Sequence, residues 1–141
     1  EIRKLGSNRL TLTGDGSAFE GTTIIDDGQL FIGNGGASGS LSGNIELTAP
    51  TSELRFNRSD NITYDGSISG AGEVVKNNGN VLTLTGDSTY TGTTTVNDGE
   101  LHIGNGGSSG SITSDIVLNN TDLPGANVFA TVYEASGKNP V

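Results

Sequence analysis

The chain states one pattern twice. LTLTGDGSAFEGTTIIDDGQLFIGNGGASGS runs from Leu10 to Ser40, and LTLTGDSTYTGTTTVNDGELHIGNGGSSGS from Leu82 to Ser111. Glu1 falls on Glu73 and Asp15 on Asp87 in one register. After a single deletion the register resumes with Gly21 on Gly92 and holds to Leu47 on Leu118. A match of that length marks two copies of one structural unit, and such units stack as solenoids.

Within each copy, apolar residues alternate over short runs: Leu10 and Leu12, Leu30 and Ile32, Ile45 and Leu47, Leu54 and Phe56, Ile62 and Tyr64. A period of two describes strands with one face inward. Gly, Asn, Asp and Ser separate the runs, and Asp-Gly at 27–28, 65–66 and 98–99 suits turns that need positive φ. No stretch carries a helical period. An antiparallel sandwich or barrel would also use many short strands, but it has no reason to reuse Leu-Thr-Leu-Thr-Gly at a fixed offset. The expected fold is an all-β, right-handed parallel β-helix. At roughly 20–25 residues per coil, each repeat of about 71 residues makes three coils and the chain about six. At ~4.8 Å per coil this is a rod of about 29 Å. Residues 1–118 form the solenoid, as repeats 1–72 and 73–118 and onward. Equivalent residues of the two copies are expected to stack in common ladders. Leu10, Leu12, Leu82 and Leu84 point inward, and Thr11, Thr13, Thr83 and Thr85 outward.

Composition agrees with a thin core. The 141 residues include 23 Gly, 31% hydrophobic residues, no Cys and no Met, so disulfide and thiol chemistry are excluded. The formal net charge of −9 argues against nucleic acid as a partner. No apolar run approaches the ~18 residues of a membrane helix. No signal peptide is seen, and the start at Glu1 without Met is read as that of a mature product, a fragment or the ordered part of something longer.

The polar residues offer little chemistry. His102 is the single His, replaces Phe31 of the first copy and points outward between Leu101 and Ile103; one His without Cys makes no zinc site. Asp15, Asp26, Asp27, Asp87 and Asp98 lie near glycine turns and read as turn formers, because Gly33–Gly39 and Gly104–Gly110 lack the Asp of a calcium-binding β-solenoid motif. Gly33-Asn34-Gly35-Gly36 has no Gly-Lys-Ser/Thr and no helix to follow, so it is a tight corner and not a phosphate cradle. Ser7, Ser17 and Ser88 lack the context of a nucleophile. The glycosylation sequons at Asn57, Asn61 and Asn119 carry no weight in this reading. No catalytic, cofactor-binding or metal-binding residue and no cofactor is expected. Carboxylate pairs of the glycosidase kind are the weakest reading.

The stretch GSISGAGEVVKNNGNVLTLTGDSTYTGTTTVNDGELHIGNGG, Gly66 to Gly107, resembles the passenger-associated transport repeat of bacterial autotransporters. Gly70, Gly72, Val74, Lys76, Leu82 to Gly86, Tyr90, Thr91, Gly92, Thr94, Val96, Leu101, Ile103 and Gly104 carry the resemblance. Leu54 to Gly72 is similar to the run that precedes this repeat in the family. The first copy departs at Ala18-Phe19-Glu20, where a Thr-Tyr-Thr type triplet stands in the pattern. The resemblance covers Glu1 to about Leu118. It implies a secreted or surface-displayed passenger of a Gram-negative bacterium, exported through an outer-membrane translocator barrel of the same precursor, and a non-enzymatic stalk or scaffold that aids export and folding. The alternative is an adhesin-type module for host glycan or protein, or a subunit of a head-to-tail filament.

Residues 119–141 diverge from the corresponding part of the first copy. Val128, Ala130 and Val132 alternate with Phe129, Thr131 and Tyr133, so one more strand is expected, acting as a cap or as an intermolecular strand. The opening at Glu1 is in mid-pattern. Either further coils precede it or a neighbouring molecule covers the edge.

Overall fold

The structure is a computed structural model and describes residues 1–119 and 128–133. All regular elements among them are strands. They are β1 (Ile2–Lys4), β2 (Arg9–Leu12), β3 (Thr23–Ile25), β4 (Gly28–Ile32), β5 (Ile45–Leu47), β6 (Ser52–Phe56), β7 (Ile62–Tyr64), β8 (Ile68–Gly70), β9 (Glu73–Lys76), β10 (Val81–Leu84), β11 (Thr94–Val96), β12 (Gly99–Ile103), β13 (Ile116–Leu118) and β14 (Val128–Val132). Every pairing among these strands is parallel, and three sheets form the sides of the solenoid. The first side is β1-β3-β5-β8, the second β2-β4-β6-β9-β11-β13, and the third β7-β10-β12-β14.

The second side counts the coils. Its central inward ladder is Leu10–Leu30–Leu54–Val74–Thr94–Ile116, one residue from each of six coils. The core is one residue deep on each side: Ile25, Ile45, Leu47 and Ile68 from the first, Leu30, Leu54, Phe56, Val74 and Val96 from the second, Tyr64, Leu82, Leu84, Leu101 and Ile103 from the third. The strand expected in the tail is β14, which pairs with β12 of the same chain.

One expectation needs correction. The two copies do not stack in common ladders. Leu10 belongs to the second side and Leu82 to the third, where the ladder is Ile62–Leu82–Leu101–Ala130. Ile2 and Thr23 lie on the first side, but their equivalents Val74 and Thr94 lie on the second. The cause is arithmetic. With about 21 residues per coil, an offset of about 72 residues advances about three and a third coils, which is one side further round. The second copy is the first one moved along the axis and turned by one side.

The inward direction of the leucines holds, but burial depends on neighbours. Leu82 is 0% exposed between coils, whereas Leu10 is 40% exposed in the first coil, whose outer side is covered by no strand among the described residues. Gly28 and Gly99 both have φ +73. A Cβ at Gly28 would run into the backbone of Gly6, Ser7 and Asn8, and one at Gly99 into that of Asn78, Gly79 and Asn80. Glycine is therefore required at these corners for both conformation and space.

The departure at Ala18-Phe19-Glu20 has a structural cost. In the second copy the Tyr90 hydroxyl lies 2.6 Å from Thr94 Oγ1, which lies 2.5 Å from Ser114 Oγ, so buried Thr94 is satisfied twice. The equivalents in the first copy are Phe19 for Tyr90 and Gly43 for Ser114. Neither carries a hydroxyl, and buried Thr23 Oγ1 has no partner among the described residues. Thr94→Val should therefore cost about 1–3 kcal/mol by stranding two hydroxyls, while Thr23→Val should be neutral or stabilising. Urea unfolding of the two variants checks this; equal losses would contradict the network.

Candidate functional site

Inward positions of the strands are not all apolar. Lys4 ends β1 and Lys76 ends β9, each two residues after an inward residue and so in the inward phase. Lys76 is 1% exposed, and its Nζ donates to Asn78 O at 2.6 Å, Asp98 O at 2.9 Å, Asn80 Oδ1 at 3.0 Å and Asn77 O at 3.3 Å. Lys4 Nζ donates to Gly6 O and Asp27 O, both at 2.7 Å. Each ammonium therefore ties the corner of its own coil to the Asp-Gly corner of the next. Burial pushes Lys76 down to about 8, against the opposing pull of the Asp98 and Glu100 carboxylates.

The acidic residues act at the corners as well. Asp15 Oδ1 accepts from Ser17 N at 2.9 Å and Ser40 Oγ at 2.7 Å. Hydrogen bonding by Ser17 and then Ser40 holds its carboxyl down at about 2. Asp87, its equivalent, accepts from Gly110 N at 2.9 Å and Ser111 Oγ at 3.1 Å. Asp27 and Asp98 each accept from the following glycine N–H at 2.8 Å. Asp26 does something different: it receives Arg3 Nε at 2.5 Å and Thr48 Oγ1 at 3.0 Å, and the Arg3 guanidinium lowers its pKa. In the second copy the same position is Asn97, the middle of an asparagine ladder. Asn119 Nδ2 donates to Asn97 Oδ1 at 2.7 Å, and Asn97 Nδ2 to Asn77 Oδ1 at 2.9 Å. Sequence reasoning missed both the ladder and the lysine cages. The signals are there, in Asn77, Asn97 and Asn119 directly after strands at coil spacing, and in Lys4 and Lys76 two residues past an inward residue.

The Gly33–Gly39 corner is braced by Arg58, which donates to Ala37 O at 3.0 Å, to Gly39 O and to Asp60 Oδ2 at 2.8 Å. Ser17 donates its N–H to Asp15, and Ser88 Oγ accepts from Ile68 N at 3.0 Å. Ser7 is exposed and makes no side-chain hydrogen bond among those described. His102 sits on the third side, 3.0 Å from Glu100 Oε2 and edge-on to Tyr133 at 5.5 Å between ring centres. On the outward second side, Arg9 and Arg55 cover Phe31 at 4.0 and 5.1 Å. Among the described residues no three His, Cys, Asp or Glu side chains converge as a metal site. The shared polar residues Lys4 and Lys76, and Asp15 and Asp87, thus serve as coil-to-coil braces.

The lysine cage gives a pH signature. Lys76 has a folded pKa of about 8 against an ordinary 10.5, so between those values the unfolded chain binds more protons and stability rises with pH. Tyr64 and Tyr90 are shifted the other way by burial, so the stability they contribute is present below the ordinary value of 10.0 and is lost above it. Urea unfolding between pH 7 and 11 should show stability rising above pH ~8 and falling beyond ~10, and Lys76→Met should remove the rise while leaving the fall. A rise that survives in Lys76→Met would contradict the assignment.

Residues 2–30 and 74–103 each match the family model of the passenger-associated-transport-repeat. Over 61 residues the chain is 52% identical to the adhesin BmaC autotransporter of Brucella suis biovar 1 (strain 1330). The match takes in 43% of this chain and 2% of that protein, so the chain spans a small part of the relative's length. No solved structure matches the chain significantly. The two matched segments are those that the structure shows as one unit moved along the axis and turned by one side: the chain carries two copies of the passenger-associated transport repeat, an element of autotransporter passengers.

Proposed function

We propose that the chain is a non-enzymatic scaffold segment of an autotransporter passenger, which acts as a stalk and aids export and folding. Its place is the surface of a Gram-negative bacterium or the medium around it. The observation that carries this reading is the use made of the residues common to both copies. Lys4 and Lys76, Asp15 and Asp87, and Gly28 and Gly99 all serve the joining of one coil to the next. An enzyme would keep some shared polar groups for substrate. The partner this role implies is the translocator barrel of the same precursor.

A second reading is supported by the relative's description as an adhesin: an outward side of the solenoid engages a host glycan or protein. The Arg9 and Arg55 guanidiniums, stacked over buried Phe31, would suit such a contact. Head-to-tail association into a filament is a third arrangement, open to solenoids in general through their terminal strand edges.

The test is made in the native precursor, comparing it with a version in which Lys4 and Lys76 are both Met and the coil joints are loosened. Under the scaffold reading the amount of protease-accessible passenger at the cell surface falls, while binding to host cells per displayed molecule is unchanged. Full display with lost host binding would overturn the scaffold reading in favour of the adhesin. Turnover of a polysaccharide by the purified chain would overturn both.

A further inference from the structure

Asn-Gly occurs three times in the chain, at Asn34-Gly35, Asn78-Gly79 and Asn105-Gly106. The pair is chemically labile. The glycine amide nitrogen, once it loses its proton, attacks the asparagine Cγ and closes a five-membered succinimide, with expulsion of ammonia. Water then opens the ring at either carbonyl and leaves aspartate or isoaspartate. Glycine favours the step because no side chain obstructs the approach. Two restraints oppose it: a hydrogen bond that holds the glycine N–H, and bonds that pin the asparagine side chain elsewhere. The three pairs of this chain differ in both.

Asn34 and Asn105 are equivalent positions of the two glycine corners, and both are exposed. Gly35 N, however, donates to Asn57 O at 2.8 Å, and Gly36 O accepts from Ser59 N at 3.0 Å. The tip of the first corner is thereby tied to the coil that follows it. Asn78 is half-buried and pinned by its side chain. Its Nδ2 donates to Asn57 Oδ1 at 3.0 Å and to Arg58 O at 3.2 Å, and its own carbonyl accepts from Lys76 Nζ at 2.6 Å.

Asn105 has neither restraint. Gly106 N–H and Asn105 Nδ2 make no hydrogen bond among the described residues. Asn105 Oδ1 instead accepts from Gly107 N at 3.2 Å, which folds the side-chain amide back over the Gly106 peptide. The difference between the corners comes from the coil beyond each. Tyr133 N donates to Ile103 O at 2.7 Å, as Asn57 N does to Ile32 O at 2.9 Å, but the further links to the corner tip are not repeated among the described residues.

We infer that Asn105 is a self-modification site, at which the chain deamidates spontaneously through Gly106 while Asn34 and Asn78 stay intact. The ends of the second corner are fixed by Gly104 N on Leu84 O at 2.7 Å, Ser109 Oγ on Thr85 O at 2.8 Å and Gly110 N on Asp87 Oδ1 at 2.9 Å. The change is therefore confined to the exposed tip, and the coils keep their joints. The product carries a carboxylate where a neutral amide stood, and its isoaspartyl form has a backbone longer by one methylene. A chain that persists outside the cell gains an acidic corner with age.

The experiment holds the full chain at mildly alkaline pH and body temperature, once folded and once in urea, and follows all three sites by peptide mass spectrometry. In the folded chain Asn105 should convert at least about tenfold faster than Asn34 or Asn78, because each of those needs a local opening first. In urea the three rates should converge to within about threefold, since the restraints are gone. Asn105→Gln should remove the acidic species that isoelectric focusing detects in the aged chain and leave thermal unfolding unchanged. Equal rates at Asn34 and Asn105 in the folded chain would overturn the inference, and so would conversion of Asn105 that is about tenfold slower folded than in urea.

Discussion

Parallel hydrogen bonding between successive coils is the interaction on which everything else in this molecule depends. Each strand is only three to five residues long and has no stable existence alone. It gains its partners from the coils above and below, so a residue's surroundings are set by what stands about 21 positions away in each direction. That is why the departures are informative. A lysine in an inward position must find oxygens within the plane of the corner, and Lys76 finds four. A threonine there must find hydroxyls, and Thr94 finds two where Thr23 finds none. A core one residue deep has no second layer to absorb a misfit.

The same constraint explains why a repeat in sequence is not a repeat along one side. Coil length is fixed by the corners, and the repeat length does not divide by it. The second copy therefore turns onto the next side. Its glycine corner, Gly104–Gly110, leaves the solenoid from a different edge than Gly33–Gly39 does. His102 stands on the third side although Phe31, which it replaces, stands on the second. Two copies of one element thus present different chemistry on different sides, while the Lys4/Lys76 and Asp15/Asp87 braces recur in both.

Much of this is legible in the sequence. The period of two marks the strands, the duplication marks a solenoid, and the coil count of six follows from length. Two of the three Asp-Gly corners are readable: Gly28 and Gly99 have the positive φ expected of them, whereas Gly66 does not, and glycine stands there because a Cβ would run into Gly43 O and the Tyr64 ring. The turn between copies is not legible because it depends on small differences in coil length, such as the longer path from Leu30 to Leu54 than from Leu10 to Leu30, which periodicity in short runs does not resolve. The exposure of Leu10 is not legible because burial in a solenoid belongs to the neighbouring coil and not to the strand. The roles of Asp15 and Asp87 are half-legible: both lie at turns, but their partners Ser40 and Ser111 come from the next coil, a distance that local turn chemistry does not cover.

The central claim is that the two copies differ by about three and a third coils. Spin labels at Thr11, Thr83 and Thr95 test it directly. Thr11 and Thr95 share one outward ladder, four steps apart, at about 19 Å for ~4.8 Å per coil. Thr83 lies nearer to Thr11 along the axis but faces outward from the third side. Electron paramagnetic resonance should therefore give a shorter distance for Thr11–Thr95 than for Thr11–Thr83. The reverse order, with Thr83 about 14 Å from Thr11, is what copies stacked three whole coils apart would give, and it would contradict the account.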